Sequence, residues 1–410
     1  MIIGVDLRCL PSDGSPGAGI AHAAKALTKK LISLNSAGIE WLIFLPVGAD
    51  PGAEVKMILP ETAFKARIVR IENTGGASLR RALKKFPCDL LFVPSGAIPP
   101  GISEPVVPWV HDIAIFDHPD WFPEPLLQRT ISTGLFKRGV KRAKNVLTVS
   151  DFTKNEVINK FNVNPEIITV TYEGGSDTLA GLSDEELDLE KQSAKARVVK
   201  RGITNPYILC MGTLEPRKNI PFLVTAWLKA RLLFNKPTDL VIAGRDGWKL
   251  GSIMKSMSVD LDPFLVDKSK LHRIETPSNN YRRDLLLVAD IVATPSLYEG
   301  FGLVALEGMQ AESAVLSSSA AALPEVVGDA AILLSPNDED AWVRTMISVM
   351  NDPIYRSELA KQGKARSQSM TWDRTARIVM NVLTKSKSQS ILRKQQAAEN
   401  HGLGRNLLAE

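Results

Sequence analysis

Residues 290–309 read DIVATPSLYEGFGLVALEGM, an apolar run followed by a glycine-containing turn and then by a stretch with helical spacing. The run is short and rich in β-branched residues, which indicates a strand, and the stretch after the turn indicates a helix. In an open α/β sheet, ligands bind at the carboxyl ends of the strands, where this turn lies. The segment therefore predicts an α/β fold and places Glu299 and Glu307 at a binding edge.

The same alternation of short apolar runs and longer amphipathic stretches extends in both directions along the chain. Most of the runs consist of Val, Ile and Leu, which is typical of parallel strands covered by helices on both faces. We predict first-half strands at 2–5, 41–47, 66–71, 89–94, 106–110, 145–150 and 167–172. The second half is predicted to contain strands at 207–212, 239–244, 271–277, 290–296, 314–319 and 330–336. This pattern indicates two Rossmann-like domains.

The alternation is interrupted at 176–204, where acidic residues precede basic ones. Ser183 and Glu186 form a capping-box pattern there, and Gly202 suits the end of a helix. We therefore predict a first domain at 1–175, a linker helix within 176–204 and a second domain at 205–370. A final helix at 371–388 is predicted to return to the first domain, and 389–410 form a tail.

The composition of the chain excludes several classes of protein. With 410 residues, 44% hydrophobic and 23% charged, the chain is neither disordered, nor collagen-like, nor a disulfide scaffold. Its three cysteines, Cys9, Cys88 and Cys210, are too far apart for a CxxC site. No apolar run approaches the ~20 residues that cross a bilayer, and the first residues lack a secretory leader. A net charge of +5 is too mild to indicate nucleic acid, so we expect a cytoplasmic protein.

A second string, GTLEPRKNI at 212–220, also follows a predicted strand. Gly212 permits an unusual turn, and Pro216 fixes φ at the entry to the next helix. Arg217 and Lys218 lie beside that helix N-terminus, where the macrodipole disfavours cations. A diphosphate is a suitable partner, with Arg as a bidentate donor and Lys as a point charge. Taken alone, the pair is also compatible with a solvated surface patch.

The turn after Glu299 offers a complementary set of groups. The backbone N–H groups of Phe301, Gly302 and Leu303 are predicted at a helix N-terminus, where they suit a phosphate or sugar hydroxyls. A carboxylate accepts two hydroxyls at once, as a ribose or a hexose diol offers them. The alternative is that Glu299 and Glu307 are ordinary surface residues.

These two strings, in this order and in the second half of the chain, resemble the retaining glycosyltransferases of the GT-B fold, family 4, also called glycosyl transferases group 1. The resemblance covers Tyr207 to about Pro336 and includes LPEVVGDAA at 323–331. It implies that Glu299 faces the donor hexose and that Glu307 holds the ribose hydroxyls. It also implies that Arg217 and Lys218 hold the donor diphosphate and stabilise the leaving nucleotide.

Two first-half segments add to the resemblance. DGSPGAGIAHAAKAL at 13–27 is similar to the family's glycine loop, which approaches the phosphates and the acceptor. VHDIAIFDHPDWFP at 110–123 resembles the His-Asp segment of mannosyltransferase-like members, in which His111 would hydrogen-bond the hexose. The implied catalytic residues are His111, Arg217, Lys218 and Glu299, and the implied donor-binding residues are Gly17, Gly19, Gly212, Phe301, Gly302, Leu303 and Glu307.

No metal or other cofactor is expected, because the family uses its basic pair and a helix N-terminus where other glycosyltransferases use a divalent ion. Asp-x-Asp strings exist at 260–262 and 338–340, but neither lies in the two motifs. We interpret both as surface residues. His and Cys are too scattered for a zinc site.

The resemblance implies a GT-B enzyme of two Rossmann-like domains facing a cleft. It would transfer a hexose, with mannose favoured, from a nucleoside-diphosphate sugar, with GDP-mannose favoured, to a glycan or lipid-linked glycan in surface polysaccharide (lipopolysaccharide) assembly. Alternatives are a nucleotide-sugar epimerase or soluble disaccharide synthase of the same fold, or a catalytically silent sugar-nucleotide-binding protein. Basic stretches at 65–85 and 129–144 would allow peripheral contact with the anionic inner face of a membrane, and the alternative is that they are solvated helix faces.

Overall fold

A computed structural model describes residues 1–13, 19–34, 38–50, 66–258 and 269–386. The first domain contains β1 (Ile2–Asp6), α1 (Ile20–Ser33), β2 (Glu40–Pro46), β3 (Ala66–Ile71), α2 (Gly76–Lys85), β4 (Leu90–Val93), β5 (Val106–Val110), α3 (Ala114–Asp117), α4 (Leu126–Arg142), β6 (Val146–Thr148), α5 (Asp151–Phe161) and β7 (Ile168–Val170). It is followed by α6 (Asp184–Lys200).

The second domain contains β8 (Tyr207–Met211), α7 (Ile220–Ala230), β9 (Asp239–Gly244), α8 (Gly251–Met257), β10 (Leu271–Glu275), α9 (Asn279–Val288), β11 (Ile291–Thr294), α10 (Leu303–Gln310), β12 (Ala314–Ser318), α11 (Leu323–Val327), β13 (Ile332–Leu334), α12 (Glu339–Asn351) and α13 (Pro353–Ser367). The last described helix, α14, covers 372–386. Short 3₁₀ turns lie at Pro119–Trp121, Pro165–Ile167, Pro216–Lys218 and Arg231–Leu233.

Each domain is built on one parallel sheet, and the predicted doubly wound architecture is confirmed. The first sheet has seven strands in the order β3-β2-β1-β4-β5-β6-β7, and the second has six in the order β10-β9-β8-β11-β12-β13. The strand order reverses beside β1 in the first sheet and beside β8 in the second, and such switch points open a crevice at the carboxyl ends of the strands. Gly19 lies between β1 and α1, and the GTLEPRKNI string follows β8, so both lie at these crevices.

Serine side chains cap the starts of two helices, one of which the capping-box pattern predicted. The Ser150 side chain accepts a hydrogen bond from the Thr153 backbone N–H at the start of α5. Ser183 and Glu186 form a complete capping box at the start of α6. Both caps satisfy backbone donors that would otherwise have no partner in the first turn.

Helix α6 is not a free-standing linker, because one of its faces is buried. Leu187, Ala194 and Val198 are buried on that face. Arg197 forms a bidentate pair with Asp284 of α9, at 2.8 and 2.6 Å. The helix therefore packs as part of the second domain.

The final helix lies against the first domain. Trp372 packs edge-on against Trp109 of β5, with ring centroids 6.4 Å apart. At the other end of the helix, the Asn145 side-chain amide donates to Ser386 Oγ at 2.8 Å. The chain therefore returns to the first domain after Ser367, and the predicted tail at 389–410 lies outside the described residues.

Candidate active site

A cleft of about 230 Å³ lies between the two domains, at the carboxyl ends of both sheets. Its first-domain wall includes Gly19, His22, His111 and Glu173. The second-domain wall holds most of the residues that the sequence predicted, namely Gly212, Arg217, Lys218, Glu299, Phe301, Gly302, Leu303 and Glu307. Gly17 lies outside the described residues.

The basic pair and the first glutamate contact one another directly. Arg217 Nη1 lies 2.8 Å from one Glu299 oxygen, and Lys218 Nζ lies 2.5 Å from the other. Ser296 Oγ donates to Glu299 at 2.8 Å. Arg217 also reaches Glu215 at 2.7 Å. The family resemblance implies separate roles for these residues toward phosphate and hexose, whereas the structure joins them in one partly buried ion-pair network.

The pKa values of the two carboxylates in this network shift in opposite directions. Burial alone would raise the pKa of Glu299, but Lys218 and Arg217 outweigh it and lower that pKa to about 2. Burial raises the pKa of Glu215, and Arg217 and Lys218 only partly oppose it. Burial disfavours the Arg217 charge, yet Glu299 and Glu215 raise the pKa of Arg217 above its ordinary value. Glu299 is therefore a permanent anion at neutral pH.

The depressed pKa of Glu299 predicts a specific acid dependence. A carboxylate whose pKa is lowered on folding stabilises the protein above its unfolded value, here 4.5, and loses that contribution as the pH falls toward about 2. We expect the difference in unfolding free energy between wild type and Glu299→Gln to shrink as the pH falls below 4.5. Denaturant titrations at several pH values measure it, and a difference that does not depend on pH would contradict the assignment.

The backbone of the turn between Glu299 and α10 adopts a conformation that favours glycine at position 302. Gly302 has φ +118°, a conformation that side chains rarely adopt, and a Cβ there would lie 2.7 Å from Leu323 Cδ2. This geometry directs the first turn of α10 toward the cleft. Glu307, one turn further along, is buried, and Arg282 of α9 donates to it at 3.3 Å.

His111 lies in the cleft wall, but both of its ring nitrogens have partners. Nδ1 lies 2.9 Å from Glu173 Oε1, and Nε2 lies 2.7 Å from the Pro94 carbonyl oxygen. A carbonyl oxygen only accepts, so Nε2 carries a proton. The predicted hydrogen bond from His111 to a hexose therefore requires an exchange of partner, and it stays a prediction.

Residues of the first domain hold the Glu299 turn from across the cleft. Ser150 Oγ donates to the Gly300 carbonyl oxygen at 2.6 Å, and Thr153 Oγ1 donates to the same oxygen at 3.2 Å. Gly300 lies so close to β5 that a Cβ would be 1.8 Å from the His111 carbonyl oxygen. The cleft is thus closed at this point by backbone contact.

A second contact bridges the domains farther along the cleft. Trp248, in the loop after β9, donates through Nε1 to the Trp121 carbonyl oxygen at 2.5 Å. The Trp248 ring also stacks on Phe122, with centroids 6.1 Å apart. The segment around His118-Pro119, noted in the sequence for its family likeness, therefore serves as an interdomain contact.

Sequence reasoning missed several residues of the site. Glu173 follows β7, and its position at the carboxyl end of a strand was an available signal. His22 follows Gly19 in the first turn of α1. Burial lowers the pKa of His22, the effects of Glu307 and Arg282 are smaller, and the imidazole is uncharged at neutral pH. Arg282 carried no motif signal at all.

No group of three or more metal-ligating side chains occurs among the residues that the structure describes. Asp338 accepts from the Ala341 backbone N–H as the cap of α12, and Glu339 pairs with Lys229. The string at 260–262 lies outside the described residues. Within the same described ranges, no helix has the length and apolar character of a membrane span.

Comparisons with known proteins agree with this geometry. Residues 191–366 match the family model of glycosyl transferases group 1. The chain is 29% identical to the O-antigen chain mannosyltransferase B of Escherichia coli over 71% of this chain and 73% of that protein. It is 31% identical to the O-antigen chain mannosyltransferase RfbU of Salmonella typhimurium over 60% of this chain and 62% of that protein.

Solved structures show the same fold at low identity. Anabaena Alr3699/HepE in complex with UDP-glucose superposes with a TM-score of 0.67 at 18% identity, covering 95% of this chain and 100% of that one. WaaG, a glycosyltransferase involved in lipopolysaccharide biosynthesis, gives a TM-score of 0.65 at 13% identity over 92% and 99% of the two chains. The chain is a glycosyltransferase of the GT-B fold, and its residues 191–366 match the model of the glycosyl transferases group 1 family.

Proposed function

We propose that the enzyme transfers mannose from GDP-mannose to a glycan or lipid-linked glycan acceptor in surface polysaccharide assembly. The observation that carries the proposal is the partly buried pair Arg217–Lys218 beside Glu299, in a cleft that both domains line. Two curated relatives that act as O-antigen mannosyltransferases support mannose as the sugar. The reaction breaks the bond from the sugar to the diphosphate and joins the sugar to an acceptor hydroxyl, with retention of configuration.

The ion-pair network supplies what the departing diphosphate needs. Arg217 and Lys218 are fixed in place before the reaction by Glu299 and Glu215. Cations held in a water-poor site stabilise a developing phosphate charge strongly, because they need no reorganisation when it forms. A donor diphosphate would share these cations with Glu299, which would leave that carboxylate facing the hexose.

Glu307 is proposed to hold the donor ribose. Its carboxylate is buried at the cleft and paired with Arg282 through only one oxygen, at 3.3 Å. The remaining oxygen has capacity for a ribose diol. His22 faces this part of the cleft from the first domain.

We expect activity without a divalent ion. The basic pair would neutralise the diphosphate as a metal does in other glycosyltransferases, because fixed cations can perform the same electrostatic task. Turnover measured in EDTA, with and without added magnesium, checks the expectation. Complete loss that magnesium restores would show that the phosphate site works differently.

Replacing His111 is expected to separate catalysis from nucleotide binding. A hexose hydroxyl that takes the place of Pro94 on Nε2 would make a contact which His111→Ala removes, so turnover should fall about 10- to 100-fold. The dissociation constant for GDP should stay nearly unchanged, because the proposed nucleotide contacts lie in the second domain.

Glu173→Gln is the companion variant, since it keeps the shape of the residue and removes the charge that faces His111 Nδ1. We expect it to lower turnover less than His111→Ala does. If His111→Ala turned over as fast as the wild type, His111 would have no role in the site.

The transfer itself is tested by incubating the enzyme with GDP-mannose and membranes that carry nascent polysaccharide, then measuring mannose incorporation and GDP release. We expect mannose incorporation and GDP release to rise together. Release of GDP and free mannose without incorporation would favour hydrolysis or epimerisation chemistry instead.

A further inference from the structure

Glu325 belongs to the LPEVVGDAA string at 323–331, yet it is not among the residues that line the catalytic cleft. It lies in α11 of the second domain. The Phe152 backbone N–H, in the first turn of α5 of the first domain, donates to Glu325 Oε2 at 3.2 Å. Glu325 thus accepts a hydrogen bond across the interface between the two domains.

Helix α11 is also attached to the Glu299 turn. The Ala322 backbone N–H, just before the helix, donates to the Glu299 carbonyl oxygen at 3.2 Å. Leu323 lies against Gly302, where an added Cβ would be 2.7 Å from Leu323 Cδ2. Ala322 and Glu325 are about one helical turn apart, so a displacement of Glu325 also displaces the partner of the Glu299 backbone.

The rest of α11 is fixed from within the second domain. Arg366 of α13 donates to the Glu325 carbonyl oxygen at 2.8 Å and to the Val326 carbonyl oxygen at 3.2 Å. Carbonyl groups in the last turn of a helix have no partner inside that helix, and Arg366 supplies one. The helix is therefore held in place, and the Glu325 side chain extends from it to the first domain.

Phe152 makes a second contact across the same interface. Its ring packs edge-on against Tyr298, the residue before Glu299, with ring centroids 5.3 Å apart. Gly300, the residue after Glu299, accepts hydrogen bonds through its carbonyl oxygen from side chains at the start of α5. The start of α5 therefore contacts both neighbours of Glu299 as well as the Glu325 carboxylate.

The surroundings of the Glu325 carboxylate disfavour a charge. Its Oε1 atom is buried and has no hydrogen-bond partner within the described ranges. Burial raises the pKa of Glu325, the Phe152 N–H opposes that rise, and the nearby Asp151 charge adds to it. A buried site of this kind is served by an acceptor oxygen of the right reach, without a full negative charge.

We propose that Glu325 is a positioning residue for the transfer reaction, whose hydrogen bond to the start of α5 holds the Glu299 turn against the first domain and opposite His111. The inference rests on the proposed function, which assigns Glu299 and His111 to the hexose. Loss of the bond leaves the nucleotide contacts of the second domain in place but lets the Glu299 turn move relative to the first domain. A small misplacement of a group at the reacting centre lowers turnover far more than binding.

Two conservative variants separate the reach of the side chain from its charge. Glu325→Gln keeps the length and an acceptor oxygen, whereas Glu325→Asp keeps the charge but is one methylene too short for the Phe152 N–H. We expect turnover near that of the wild type from Glu325→Gln, and about tenfold lower turnover from Glu325→Asp and Glu325→Ala. The Michaelis constant for GDP-mannose should stay nearly unchanged in all three variants.

Glu358→Ala is the matched control, because Glu358 is an exposed carboxylate on α13 that does not line the cleft. We expect wild-type turnover from it. Equal turnover in Glu325→Asp and the wild type, or a Glu325→Gln variant as slow as Glu325→Ala, would overturn the proposal.

Hydrogen exchange followed by mass spectrometry tests the contact without any substrate. Glu325→Ala and Glu325→Asp should speed exchange at the start of α5 and in the Glu299 turn, which lie in different domains, while exchange in α7 stays unchanged. Glu325→Gln should exchange like the wild type. Wild-type exchange at both places in Glu325→Ala would also overturn the proposal.

GDP titration distinguishes a failure of this inference from a failure of the proposed function. Each variant should bind GDP as the wild type does, which shows that the second domain is folded. A wild type that binds GDP and transfers mannose, with Glu325→Asp equally fast, would reject Glu325 and leave the proposed function standing. A wild type that neither binds GDP nor transfers mannose would reject the proposed function and, with it, a role for Glu325 in transfer.

Discussion

Arg217→Ala and Lys218→Ala are each expected to lower turnover at saturating donor by about 10²–10³. Arg217 and Lys218 are the two cations that Glu299 holds in the cleft, at 2.8 and 2.5 Å. Their charge is already desolvated and oriented, so each contributes most when negative charge develops on the departing diphosphate. The loss should therefore appear chiefly in turnover rather than in the Michaelis constant.

The same variants are expected to lower stability, because each leaves the partly buried Glu299 carboxylate with one cation fewer. Breaking a fully buried ion pair from one side typically costs about 3–5 kcal/mol, so we expect a smaller loss here. Kinetics must therefore be measured well below the melting temperature of each variant. This loss of stability follows from the pairing of both cations with Glu299.

Lys229→Ala is the matched control for this experiment. Lys229 lies near the end of α7, the helix that follows the basic pair. Its exposed side chain contacts Glu339 outside the cleft. We expect wild-type turnover from it. Turnover near wild type in the Arg217/Lys218 double variant would remove both residues from the mechanism.

Gly300→Ala is expected to lower turnover by about 10², while the second domain still binds nucleotide. The three atoms nearest to a Cβ at this position all belong to the first domain, and the closest is the His111 carbonyl oxygen at 1.8 Å. An added methyl group therefore clashes with the first domain, and relief of that clash forces the domains apart. The opening would separate His111 from the residues around Glu299.

Small-angle scattering and turnover test this variant together. We expect a larger radius of gyration and a low turnover, with a GDP affinity close to that of the wild type. Gly251→Ala is the control, because a Cβ there meets no atom within 4 Å. A compact Gly300→Ala protein with normal turnover would show that the backbone contact across the cleft has no catalytic role.

The sheets were predictable because parallel strands buried on both faces consist of continuous apolar runs. The paired strands β1 and β2 correspond to such runs, and so does β11, the strand before the Glu299 turn. Helix caps such as Ser150 and Ser183 were also predictable, since capping depends on residues within one turn.

The contacts between elements were not predictable from the sequence. His111 and Glu173 are 62 residues apart in the chain, and Lys218 and Glu299 are 81 apart. Their pairing depends on how β5, β7 and the two domains are arranged in space. Likewise, the charge pattern of 129–144 was visible in the sequence. The exposure of the large apolar side chains of α4 was not, because exposure depends on what packs against a helix.

Calorimetric titration of the full chain with GDP, UDP and GDP-mannose tests the central claim most directly. The claim is that the cleft holds a guanosine-diphosphate sugar through the Arg217–Lys218–Glu299 network and Glu307. We expect GDP to bind more tightly than UDP, and GDP-mannose to bind to the same site with one molecule per chain. Tighter binding of UDP than of GDP, or no binding of either nucleotide, would contradict the claim.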